Sequence, residues 1–263
     1  RQACVVCELD GTKRVRTRRV VGGDGVANLR TAIFDDTREY IQFDPYWNGP
    51  RSIAVNEILP QARRDRGYLA RNNYEILRGD GDNAPVIDAR TLSDAALFST
   101  RYRVRQKPGA DNALGRVKFM FPNDYSVYLH DTPSRSRFED TDRAASHGCV
   151  RVADPQALAE YALRDNADWP PDRIAATLTA GRPVRVNLPH GPPVYLVYLT
   201  VFGRDGEVFF RDDIYDRDAR LIRALATASR IATRPSLDRK ADPVLFAELS
   251  VAAAPKPTKR ESR

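Results

Sequence analysis

The segment from Arg63 to Lys107 most constrains how this chain folds. It is polar, charged and rich in asparagine and glycine, and it separates two strand-rich stretches. A long connection of that composition inside a globular chain reads as an insertion or lid of short helices and loops. On its N-terminal side, Ala3–Leu9 and Lys13–Val21 are extended and joined by the turn pair Asp10-Gly11, a hairpin signature. Ile33 to Phe43 alternates loosely and stops at Asp44-Pro45; Asn48-Gly49-Pro50 is a breaker cluster. Asn56 is placed to cap a helix beginning Glu57-Ile58-Leu59-Pro60, where the first turn tolerates proline's missing N–H. Beyond the insertion, strand character returns at Gly115–Phe121 and Ser126–His130. Within the latter, Val127 and Leu129 share one face, Tyr128 and His130 the other. Asp154-Pro155 caps a helix with Leu158, Tyr161 and Ala162 as its apolar stripe, and a short helix spans Pro171 to Leu178. Pro183–Leu188 and Val194–Phe202 read as strands, Asp205-Gly206 as a hairpin turn into Val208–Phe210, and Leu221, Ile222 and Leu225 as a last helix. There is no internal repeat and no glycine-rich phosphate loop.

Composition narrows the function classes. With 42 % hydrophobic residues the chain can build a core, and no run approaches the ~18 apolar residues of a membrane span. Its 42 Lys and Arg against 35 Asp and Glu give +7. Part of that excess lies in the tail from Val251, where Lys256, Lys259, Arg260 and Arg263 face only Glu261. No concentrated basic stripe or aromatic-basic interleaving marks a nucleic-acid surface. The polar, proline-containing end from Ala252 is expected to be disordered. Since the chain starts at Arg1 and its one methionine is Met120, it reads as a processed or truncated product. Three cysteines and three histidines rule out a disulfide-dense scaffold and a multi-ligand zinc domain. Cys4 and Cys7, beside Val5 and Val6, read as small packing residues; in a strand they face opposite ways. His190, between Pro189 and Gly191, reads as a plain loop residue.

The remaining cysteine sits in Ser146-His147-Gly148-Cys149-Val150-Arg151. A thiol needs help to become a nucleophile, from an imidazole, a cation or backbone N–H groups. His147 is adjacent, Gly148 lets the backbone approach a ligand, and N–H groups around Gly148 and Cys149 could face an oxyanion. Arg151 offers a fork of donors to a carboxylate or carbonyl. His130, in Tyr128-Leu129-His130-Asp131-Thr132, stands at a strand end, a rigid place from which to aim an imidazole. Residues alone leave open a second reading: a buried, inert Cys149 and a His147 that only hydrogen-bonds its loop. Two histidines and the loop N–H groups lead us to expect a depressed Cys149 pKa.

A strand-end histidine followed by Ser-His-Gly-Cys-x-Arg resembles the L,D-transpeptidases of bacterial cell walls, the YkuD catalytic domain. Phe43-Asp44-Pro45-Tyr46-Trp47-Asn48, Asn56-Glu57-Ile58-Leu59-Pro60, Leu114-Gly115-Arg116-Val117-Lys118-Phe119, His130-Asp131-Thr132-Pro133 and Phe209-Phe210-Arg211-Asp212-Asp213-Ile214-Tyr215 resemble the larger Gram-negative type with a capping subdomain. The likeness runs from about Val5 to Leu225. It implies a mainly β fold with α: a curved β-sandwich catalytic domain formed by residues 1–43 and 113–225, an inserted helical cap at 44–112, and a C-terminal extension at 226–263. Tyr46 and Trp47 read as packing anchors of the cap rather than as sugar platforms, since aromatic side chains mostly serve through burial.

The resemblance also implies roles. Cys149 would be the nucleophile and His130 its general base; His147 would orient the loop, with Ser146 in a supporting hydrogen bond. Gly148 and Cys149 N–H groups would form the oxyanion hole, and Arg151 would contact substrate. The reaction would attack the third residue of a tetrapeptide stem, expel the terminal D-Ala, and pass the acyl group to an amine, giving 3→3 cross-links in peptidoglycan and serving cell-wall biogenesis and cell shape. Carbapenems would acylate the same cysteine. No metal or organic cofactor is implied, and the protein would be exported to the periplasm. The sequence also admits an L,D-carboxypeptidase or D-amino-acid exchange enzyme on the same stems, or a non-catalytic wall-binding module.

Overall fold

In the computed structural model the chain divides into two compact units, Arg1–Tyr198 and Leu199–Arg263. The structure describes residues 5–9, 13–17, 19–22, 30–37, 39–81, 83–140, 144–189, 191, 193–204 and 206–232. Cys4, the side chain of Cys7, the turn residues at 10–11, His190, Asp205 and the tail lie outside these.

Alternation of apolar and polar residues builds the first unit around a seven-stranded mixed sheet. From one edge its strands are Ala144–Ser146, Arg19–Gly22, Val150–Val152, Leu129–His130, Val117–Met120, Tyr40–Phe43 and Val184–Asn187. Two pairings are parallel, Ala144–Ser146 with Arg19–Gly22 and Leu129–His130 with Val150–Val152; the others are antiparallel. Register aligns one apolar row across the sheet: Val186, Ile41, Phe119, Leu129, Val150. All five are buried in one core with Phe43, Val117 and Phe121. The helix Pro155–Ala162 closes that core with Leu158, Ala159 and Tyr161, and Pro171–Ala180 adds Ile174. The expected cap is present: Asp154 Oδ1 accepts from the Ala157 N–H at 3.1 Å, a contact worth about 1 kcal/mol.

Residues 44–112 carry their own core of Trp47, Ile58, Leu59, Leu69, Ile76, Leu97 and Val104. Short helices are there as expected, but so is a four-stranded antiparallel sheet in the order Trp47–Asn48, Tyr102–Gln106, Tyr74–Arg78, Val86–Ile87. The insertion is therefore mixed α and β. One reason its strands pair is charge: Glu75 sits opposite Arg105, 2.8 Å away in a largely buried ion pair. Trp47 packs into this core, while Tyr46 is half exposed under the Arg105 guanidinium. The helix expected from Asn56 starts earlier, at Arg51 behind Pro50, and continues through the π-wound turn Ala54–Ile58 into Leu59–Arg64. Asn56 is thus interior to a helix and caps nothing.

The second unit holds the hairpin Val201–Arg204 with Glu207–Phe210, at the expected turn, and the helix Asp218–Ala232. The catalytic stretch expected to run to residue 225 crosses the boundary between the two units. No described helix is long and apolar enough to cross a membrane.

Candidate active site

The cysteine loop is a product of sheet topology. Ala144–Ser146 and Val150–Val152 flank Arg19–Gly22 on its two sides, so residues 147–149 must cross the end of that strand. The crossing needs a positive φ, which Gly148 supplies at 115°. Ser146 ties the loop internally: its hydroxyl donates to the Cys149 carbonyl at 2.6 Å and accepts from the Gly148 N–H at 3.2 Å. Thr31 Oγ1 adds a bond to the Gly148 carbonyl at 2.9 Å. The Gly148 N–H, expected in an oxyanion hole, is thus engaged by Ser146. Among the described residues nothing accepts from the Cys149 N–H, which leaves it as the loop donor open to a ligand.

Pairing sets which side chains meet. Leu129 lies opposite Val150 and His130 opposite Arg151; on the other side Lys118 lies opposite His130. Since Phe119, Leu129 and Val150 face the core, Lys118, His130 and Arg151 form a row on the other face. Tyr128 and Cys149 follow on that same face, and the Val150 N–H bonds the Tyr128 carbonyl at 3.1 Å. The structure thus brings Cys149, Tyr128, His130, Arg151 and Lys118 to one face.

His130 is buried, and its Nδ1 lies 2.5 Å from the Asp131 carbonyl. A carbonyl only accepts, so Nδ1 carries the proton and Nε2 keeps its lone pair. Burial, with Arg151 and Lys118 nearby, lowers the imidazole pKa from 6.5 to about 3, so the ring is neutral. Asp131 is held in turn: its carboxylate accepts from the Arg116 N–H at 2.8 Å and from Arg135 at 2.7 Å. The chain comes close here, since a Cβ on Gly115, at φ 60°, would sit 2.4 Å from the Asp131 carboxyl.

Cys149 is half-buried, and its thiol points toward the Ser126 carbonyl at 3.8 Å. Burial pushes its pKa up; bonds from the Tyr128 N–H and hydroxyl and the charges of Lys118 and Arg151 pull it partly back. This corrects the expected depressed pKa: desolvation of the thiolate outweighs every favourable partner, and neither histidine is among those partners. Tyr128 is itself pushed well above the usual phenol range by burial. His147 does not turn toward the thiol. It is exposed, and its Nε2 lies 2.8 Å from Glu57 Oε1 of the inserted segment. Arg151 is partly buried, with an Nε that has no hydrogen-bond partner.

Tyr128, Lys118 and Glu57 were not singled out from sequence. The alternation that put Tyr128 and His130 on one face was a signal for the first. The other two become visible only through strand register and the folding-back of the insertion. Among the described residues no group of three or more His, Cys, Asp or Glu is placed to hold a metal ion.

A buried histidine, a thiol on the same sheet face and an open loop N–H are the kinds of group that a thiol-dependent acyl transfer calls on. The family model of the L,D-transpeptidase catalytic domain, YkuD, matches residues 1–186, and the chain belongs to that family. A Haemophilus influenzae protein named as a candidate L,D-transpeptidase is 32 % identical over 213 residues, covering 81 % of this chain and 42 % of that protein. The chain therefore spans less than half the length of that relative. The family's activity is acyl transfer.

Proposed function

We propose that this protein is an active peptidoglycan L,D-transpeptidase with Cys149 as nucleophile and His130 as general base. The observation that carries the reading is His130, its Nδ1 held on the Asp131 carbonyl, on the same sheet face as Cys149. Cys149 Sγ attacks the carbonyl carbon of the third residue of a tetrapeptide stem as His130 Nε2 takes the thiol proton. The Cys149 N–H faces the oxyanion. When the tetrahedral intermediate collapses, the C–N bond breaks and the D-Ala amine leaves with the proton from His130. An acceptor amine then attacks the thioester and gives its proton to His130. The tetrahedral intermediate expels the thiolate, which recovers that proton. The product is a 3→3 cross-link.

Residues 44–112 act as the cap, with Glu57 touching His147 beside the nucleophile. A cap at that place limits water, which competes with an amine for the thioester. His147 holds the loop through Glu57, and Ser146 fixes its curvature. The protein works in the periplasm, where the stems are, and carbapenems acylate Cys149. Incubation with a tetrapeptide-stem muropeptide is expected to release D-Ala and form a 3→3 dimer, with both products lost in Cys149→Ala. Full activity of that variant would overturn the assignment of the nucleophile. Tripeptide stems without dimer would identify a hydrolase instead.

A further inference from the structure

Lys118 has no role in the reaction as derived so far. It is partly buried, and it stands in the row Lys118–His130–Arg151 across three neighbouring strands. Its ammonium lies 4.0 Å from the centre of the Tyr128 ring, and both it and Arg151 act electrostatically on the Cys149 thiol. Among the described residues neither cation has a carboxylate partner, and the Nε of Arg151 is buried without any hydrogen bond. Acidic groups on adjoining elements are engaged elsewhere: Asp131 by Arg116 and Arg135, Glu57 by His147, and Asp140 by Arg137. Burial lowers the pKa of both Lys118 and Arg151, and the Arg137 charge adds to the effect on Arg151. Two uncompensated cations flanking a neutral base are costly to keep unless a ligand brings the opposite charge.

We infer that Lys118 and Arg151 form a carboxylate-binding cradle over His130, and that Lys118 makes the enzyme selective for donor stems with a free carboxylate beside the scissile bond. The inference rests on the transpeptidase reading and names the donor end it accepts. Two carboxylates could occupy the cradle: that of the leaving C-terminal residue, and one on the third residue's side chain. Holding either fixes the scissile carbonyl over Cys149, and a neutral amide in its place leaves the two cations unanswered.

The test has two readouts. First, Cys149 is alkylated with iodoacetate and with iodoacetamide, reagents of similar size and opposite demand for a cation. The iodoacetate-to-iodoacetamide rate ratio in the intact protein is expected to fall about tenfold in Lys118→Met, the size of one charge-assisted contact, and to recover in Lys118→Arg. Taking both rates from one preparation cancels a general loss of folding. An unchanged ratio in Lys118→Met overturns the cradle. Second, D-Ala or D-Ala-amide release is compared for stems carrying a C-terminal carboxylate or carboxamide, each with the third-residue side-chain carboxylate free or amidated. Discrimination against one amide, reduced in Lys118→Met, supports the cradle and identifies the carboxylate it holds; equal rates for all stems overturn it. Alkylation needs no turnover. An altered ratio without any release from wild type would sink the transpeptidase reading and leave the cradle standing.

Discussion

Burial drives the two ends of the proposed proton transfer in opposite directions: the Cys149 thiol upward and the His130 imidazole down to about 3. At neutral pH both are uncharged, so the resting site holds a thiol and an imidazole rather than an ion pair. The thiolate has to form as the substrate arrives: Lys118 and Arg151 favour its charge, and attack passes that charge to the oxyanion at the Cys149 N–H. The rate of Cys149 alkylation by iodoacetamide against pH is therefore expected to inflect above the ordinary thiol value of about 8.5. Lys118→Met, which removes one of the charges favouring thiolate, should move the inflection higher. A wild-type inflection well below 8 would contradict the burial argument. His130 also links stability to pH. The unfolded chain protonates it below 6.5, whereas the folded chain resists until about 3. The unfolded state thus binds more protons in this window, and stability falls as pH drops from 6.5 toward 3. Denaturant titrations across that window should give a shallower decline for His130→Gln than for wild type; parallel curves would show that the ring is not held neutral.

Two connections between elements hold this chemistry in place. One is the Glu57–His147 contact between the inserted segment and the nucleophile loop, 2.8 Å long with both partners largely exposed. Exposed pairs of this kind contribute about 0–1 kcal/mol, so its weight lies in placement. Glu57→Gln is expected to leave the thermal midpoint nearly unchanged while hydrogen exchange at residues 147–149 quickens; unchanged exchange would show that the insertion does not brace the loop. The other is the close approach of Gly115 to Asp131. In Gly115→Ala the new Cβ meets the carboxyl at 2.4 Å in a left-handed backbone. Asp131 must shift, and its carbonyl is what orients the His130 ring. A loss of about 1–3 kcal/mol in stability is expected, together with a slowed release of D-Ala. Local signals made much of this frame legible. The strand-end His130, the Ser146–Arg151 loop and the Asp154-Pro155 helix start rest on residues a few positions apart. Lys118 reads locally as the polar side of an alternating strand, and only its register with His130 gives it another meaning. The sheet in the insertion was hidden for the same reason, since Glu75 and Arg105 are neighbours through pairing alone. Asn56 misled because Pro50 and Arg51 had already started the helix.

At the scale of the whole molecule, the two units are unequal in what they can bury. The first, ending at Tyr198, contains both hydrophobic cores and every residue placed at the site, and the family match ends within it at residue 186. The second consists, among its described residues, of one two-stranded hairpin and one helix. Val201, Val208, Phe210, Leu221, Ile222 and Leu225 are each at least half exposed. A lone hairpin is marginal in water, and a segment this small lacks the apolar area to offset its chain entropy. Autonomy should therefore be one-sided. A chain ended after Tyr198 is expected to unfold in a single cooperative transition and to keep the iodoacetate-to-iodoacetamide ratio of the full protein, because the sheet row and the loop bonds all lie upstream. Residues 199–263 made alone should show no cooperative transition. A truncated first unit that melts without cooperativity, or whose ratio drops to that of a free thiol, would show that folding of the site depends on the second unit; retention of both would confine the proposed chemistry to residues 1–198.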